Sequence, residues 1–140
     1  MKILRWLAVI PSSFAAYALA NLVQSLAAAE WMPIDALEYL RSHADLGPYK
    51  IRGSIYVALT GLVSTVVAMY AAQMVAPPQN ERRALFLTAG FWAILGVLSL
   101  MSMFSHPMVA GVAFRRCLGI GAEAVGIIVA FVFPLRCNRE

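Results

Sequence analysis

Glu123 is the side chain in this sequence best placed to do chemistry. It falls within about two residues of the middle of an apolar run, 117–133, or ~3 Å from its centre along a helix axis. A carboxyl at the centre of a bilayer is costly unless it is neutral, paired or hydrated, so an intramembrane acid is a functional candidate by default. Its surroundings sharpen the case. Arg116, Gly119, Glu123, Gly126 and Ala130 follow a 3-4-3-4 spacing and share one helix face. That face is small and polar, whereas Leu118, Val125, Val129 and Val132 point elsewhere. Glu123 is therefore expected to face protein rather than lipid.

Arg116 lies on the same face but ~10 Å along the axis, towards the headgroups. The polar groups expected at the depth of Glu123 are Tyr17, Asn21, Thr60, Ser64 and Ser99, none of them basic. Without a cation, burial favours the neutral acid, which is expected to donate a hydrogen bond to a neighbour. Three roles are open to it. The ordinary one is interhelical glue or a subunit contact. The others are proton or cation transfer and a site for a lipid or quinone headgroup. A relay needs several polar groups in line, and Glu123 is the one acid at this depth.

Other chemistries find little support, and no catalytic residue is assigned. His43 and His106 share a predicted side with Glu30, Asp35, Glu38 and Asp45 but show no ligand spacing, so no metal site is expected. Neither histidine lies in an apolar run, which leaves out paired axial ligands for an embedded haem. No serine sits in a nucleophile-type turn. Cys117 and Cys137 bracket the last run, ~30 Å apart if helical, far beyond the ~7 Å between Cα atoms that a disulfide allows. No cofactor is expected beyond bound lipid.

These residues need helices to hold them at depth, and the composition supplies four. The chain of 140 residues is 61% hydrophobic and 13% charged, against about 25% charged in an ordinary soluble domain. Apolar runs at 6–29, 53–76, 84–104 and 117–133 compare with the about 20 residues a helix needs to cross a bilayer; the last is near the short limit. The runs are too continuous for barrel strands. The fold expected is an all-α integral membrane protein, a single domain over 1–140 with four transmembrane helices in an antiparallel bundle. The first run resembles a signal peptide, with basic Lys2 and Arg5 and small-residue triplets near its end. It runs well past a usual signal core, however, and Pro11, Ser12 and Ser13 interrupt it, so it is expected to stay as the first helix. There Pro11 is expected to free a carbonyl that Ser12 or Ser13 helps to satisfy.

Between the first two spans, 33–46 reads as a short amphipathic interfacial helix. Pro33 opens it, Asp35 and Glu38 sit in its first turn, and Gly47-Pro48 ends it. Small residues recur every four positions on other helices: Ala8, Ser12, Ala16 and Ala20 on the first, and Thr60, Ser64, Ala68, Ala72 and Ala76 on the second. Such stripes let helices approach closely. With the first helix entering from inside, Lys2, Arg5, Arg82, Arg83, Arg136 and Arg139 fall on the cytoplasmic side. Arg41, Lys50, Arg52, Arg115 and Arg116 fall opposite. Six against five of the eleven basic residues favours both termini in the cytoplasm, in a bacterial inner membrane. The net charge of +4 then serves contact with anionic lipid, and no nucleic-acid partner is expected.

No motif names a reaction. The leading expectation is a non-catalytic accessory or assembly subunit of a larger membrane complex, because three small-residue stripes exceed what four helices need. The alternative is a small homo-oligomeric transporter or channel with Glu123 as its proton or cation site. An intramembrane enzyme acting on lipid or quinone comes third.

Overall fold

The computed structural model describes residues 2–31, 50–105 and 110–134, and nearly all of these are helical. The helices are α1 Lys2–Trp31, α2 Lys50–Val75, α3 Glu81–Ser105 and α4 Ala110–Val132. No strand occurs among the described residues. Ile3–Ala28, Ile51–Val75 and Glu81–Ser105, with mean hydropathies of 1.5, 1.8 and 2.1, are long and apolar enough to cross a membrane. The fourth helix differs in one respect: every 18-residue stretch of it contains Arg115, Arg116 and Glu123. The expected interfacial helix at 33–46, both histidines and Cys137 lie outside the described residues.

Pro11 sits within α1, whose helix continues through it. A helical proline leaves the carbonyl four residues back without its usual donor, here that of Leu7. Ser12 does not reach it: its hydroxyl donates to the Val9 carbonyl at 3.0 Å. Ser13 is used elsewhere, as described below. The α2–α3 connection is a tight turn. Asn80 N–H donates to the Pro77 carbonyl at 3.0 Å, and the Ala84 N–H to the Asn80 carbonyl at 3.0 Å. Between them Gln79 takes a positive φ of 68°, the type II pattern of proline followed by a left-handed residue.

Helix α2 is the centre of the assembly. Helix α1 runs antiparallel to it, with Val9 buried beside Ala72 and Ala76 and Ser25 hydrogen-bonded to Tyr56 at 3.0 Å. Helix α4 runs parallel to it. Gly119 lies against Val57, Gly126 against Leu62 and Thr65, and the Tyr70 hydroxyl donates to the Phe133 carbonyl at 2.8 Å. Helix α3 returns antiparallel to α4, with Gly96 opposite Ile120 and the Phe86 and Phe131 rings 5.0 Å apart. The result is an up-down-up-down array. Its interior holds Ala68, Met69, Leu85, Trp92 and Ala130, and its outside is apolar, with Leu7, Leu19, Leu26, Phe86, Ile94 and Ile128 exposed. So large an apolar exterior is the mark of a surface covered by something other than water.

On α2 and α4 the small residues lie inside this array. Ser64, Ala68 and Ala72 on α2 and Ala130 on α4 are fully buried, and Gly126 is buried with them. Gly119 is half-buried. On α1 the inward line falls one position from the expected stripe. Val9, Ser13 and Ala28 are buried, while Ala8, Ser12, Ala16 and Ala20 flank that line half-buried. The α2–α4 contact is the tightest. A methyl group at Gly126 would sit 2.8 Å from the Leu62 carbonyl oxygen and 3.0 Å from Thr65 Cβ, whereas one at Gly121 would meet nothing within 4 Å.

This pair of glycines makes a matched test. Gly126→Ala should destabilise the protein by about 1–3 kcal/mol, the usual range for overpacking. Gly121→Ala should be neutral or stabilising by up to about 1 kcal/mol through helix propensity. Equilibrium unfolding in mixed detergent micelles reads both, and equal effects at the two positions would refute the close approach.

Candidate functional site

Glu123 faces into the array, as its helix face requires. It lies across from Gly61 of α2, where a methyl group would come within 3.0 Å of the Gly119 carbonyl oxygen and 3.5 Å of Glu123 Cγ. The absence of a side chain at Gly61 therefore lets the α4 backbone at Gly119 come close, beside the stem of Glu123. From α1, the Tyr17 hydroxyl donates to Glu123 Oε1 at 2.6 Å. That distance is typical of an O–H donor on a carboxyl group.

Tyr17 is itself held by aromatic contact. Its ring lies 4.4 Å from that of Trp92, tilted by 33°. Trp92 is 7% exposed, and its indole N–H donates to the hydroxyl of fully buried Ser13 at 3.0 Å. Phe91 meets the same indole edge-on at 5.7 Å. Three helices are thus tied at one level: α4 through Glu123, α1 through Tyr17 and Ser13, and α3 through Trp92. Above this cluster the Gln24 amide donates to Ser64 Oγ at 2.9 Å and to the Ala20 carbonyl at 3.2 Å.

The other residues expected near Glu123 are scattered. Asn21 turns back to its own helix, donating to the Tyr17 carbonyl at 3.0 Å. Ser64 is engaged by Gln24. The hydroxyls of Thr60, Thr65 and Thr88 are buried without a hydrogen-bond partner. Ser99 lines a cleft together with Glu123. Arg116 reaches across to α3, donating to Ser102 Oγ at 3.3 Å.

The chain matches no family model, no curated protein and no solved structure. The site must therefore be read from its own geometry.

Glu123 borders two clefts on either side of the α3–α4 contact. The larger, about 360 Å³, is lined by Trp92, Leu95, Gly96, Ser99, Arg115, Arg116, Gly119 and Ile120 besides Glu123, and touches Val57 of α2. The smaller, about 200 Å³, is lined by Trp92, Gly96, Val97, Leu100, Ile120, Ala124 and Ile127 with Glu123. Among the described residues no three His, Cys, Asp or Glu side chains gather as metal ligands would. Tyr17 is the one hydrogen-bond partner of Glu123 among those residues, and Glu123 lines both clefts. Such a group can take up and release a proton, or hold a small cation or a polar headgroup.

Several participants carried a weak signal or none. Gln24 was visible as an amide inside an apolar run. Ser13, expected to serve the carbonyl freed by Pro11, instead accepts from Trp92, a residue 79 positions away, and no single segment shows that pairing. Gly61 matters for what it lacks. Removing the central hydroxyl tests the cluster. Tyr17→Phe should cost roughly 0.6–1.7 kcal/mol, the span measured for interhelical hydrogen bonds in membranes. Trp92→Phe should cost about 1–3 kcal/mol, because it also leaves Ser13 buried and unpaired. Unfolding in micelles with wild-type midpoints for both variants would show that the cluster contributes nothing.

Proposed function

We propose that this protein is a small transport protein of the membrane in which Glu123 takes up and releases a proton or a monovalent cation. One observation carries the reading: the carboxyl group is held at one oxygen by Tyr17 and borders two clefts. A carboxyl serving only to join helices gains most when all its acceptor positions are enclosed and hydrogen-bonded. This one is anchored, yet open. A single acid beside a phenol also suits a proton or a monovalent ion better than calcium, which takes six to eight oxygens.

The reading needs α4 at membrane depth as a fourth span. Its support is packing: α4 lies parallel against α2 from Gly119 to Phe133, and α2 is itself long and apolar enough to cross. Four spans put both chain ends on one side. The slight excess of Lys and Arg there assigns that side to the cytoplasm and suits a bacterial inner membrane.

The accessory-subunit reading drew its positive support from a surplus of small-residue stripes. On α2 and α4 those residues lie inside the array, which leaves only the half-buried α1 stripe as surplus, and the transport reading therefore takes precedence. It carries no assumption about how many copies assemble.

Purified protein in vesicles carrying a trapped pH dye tests the proposal, with sodium or potassium gradients run in parallel. Flux should exceed that of protein-free vesicles, and Glu123→Gln should lower it at least about tenfold while leaving the assembly intact; tenfold corresponds to about 1.4 kcal/mol on the barrier. Wild-type vesicles as tight as empty ones would refute the proposal. Foreign chains retained in mild detergent, seen by native mass spectrometry, would restore the accessory-subunit reading.

A further inference from the structure

The larger α3–α4 cleft has two chemically different ends. Arg115 and Arg116 line it at one end and Glu123 at the other, ~10–12 Å apart along α4. Between them the wall is mostly apolar: Val57, Leu95 and Ile120, with Gly96 and Gly119 giving width and Ser99 its polar member. At about 360 Å³ the space is within the ~300–1,000 Å³ of small-molecule sites. Glu123 at the floor is the one acid lining it. Outside the lining, the Ser102 hydroxyl donates to the Ser99 carbonyl at 2.8 Å and accepts from Arg116 Nη1 at 3.3 Å. That bond links α4 to α3 beside the cleft.

We infer that this cleft binds an anionic phospholipid, with its phosphate at Arg115 and Arg116 and part of an acyl chain along the apolar wall. The inference rests on the reading of α4 as a span, which sets the arginines near one headgroup layer. Long arginine side chains reach such a layer while their stems stay in the apolar region. Guanidinium groups present paired donors that match phosphate oxygens, and both Arg115 and Arg116 line the cleft. A lipid seated here closes the larger approach to Glu123 and leaves the smaller cleft open, so lipid occupancy would govern access to the acid.

The test is native mass spectrometry of the full chain in detergent supplemented with phosphatidylglycerol or phosphatidylcholine of matched chains. Wild-type protein should retain phosphatidylglycerol about tenfold better, in keeping with the attraction of two arginines for an anionic surface. The double variant Arg115→Gln/Arg116→Gln should lose that preference. Gly96→Leu should lose retention with both arginines in place. A Cβ there meets only Ile120 Cγ2 at 3.7 Å, so the added side chain fills the cleft without breaking the backbone packing. If the arginine variant does not fold, Gly96→Leu decides alone: lost retention supports the site and wild-type retention overturns it. Equal retention of the two lipids by wild-type protein also overturns it. Inorganic phosphate that displaces phosphatidylglycerol at millimolar concentration would do so too, by making the occupant a soluble anion. Retention is read without any flux, so a chain that holds phosphatidylglycerol but moves no ions refutes the transport reading and leaves this one standing.

Discussion

The close approach of α2 and α4 is the contact on which the rest of the structure depends. Two parallel helices with no direct connection meet through Gly61, Gly119 and Gly126, where backbone lies against backbone. In lipid there is no hydrophobic drive to bring apolar helices together, so close packing and interhelical hydrogen bonds must supply the association. The glycines supply the packing. They also set the rotation of α4 that turns Glu123 inward to Tyr17. Any change that widens this seam moves the carboxyl away from its donor.

The second constraint is polar satisfaction. A bilayer core offers no water to buried donors and acceptors, and this chain answers with side-chain pairs between helices: Tyr17 with Glu123, Trp92 with Ser13 and Gln24 with Ser64. Each pair is modest in energy. Together they join α1, α2, α3 and α4 at neighbouring levels, which apolar packing alone would leave free to slide. The three threonine hydroxyls without partners show where that satisfaction is incomplete.

Much of the fold was legible because hydropathy and length are properties of single segments. The runs at 6–29 and 84–104 fall inside α1 and α3, and the run at 53–76 passes the end of α2 by one residue. The helices extend beyond them, since a helix continues through polar residues such as Lys2 or Arg82 where the apolar run stops. The same reason explains why α4 begins at Ala110 although its apolar run begins at 117. Placing Tyr17 among the depth-mates of Glu123 needed only counting along each helix. Choosing it over Asn21, Thr60, Ser64 and Ser99 needed the rotation of every helix about its axis, and no single segment contains that. The stripe on α1 illustrates the difference. Small residues mark where a neighbour can come near, but the inward line passes through Val9, Ser13 and Tyr17, because Ser13 and Tyr17 are the residues that α3 and α4 engage.

The parallel pairing of α2 with α4 has a consequence for how the chain enters a membrane. A segment bearing Arg115 and Arg116 towards one end and Glu123 near its middle partitions poorly from a translocon, since a charge at the helix centre adds roughly 2.5–3.5 kcal/mol to insertion. In the four-span arrangement proposed above, the surface that accommodates those charges is formed by α1, α2 and α3, all of which are synthesised earlier. Biogenesis would then be ordered by the sequence itself: the first three helices act as an internal template, and the last is recruited from the lipid boundary only once its seat exists.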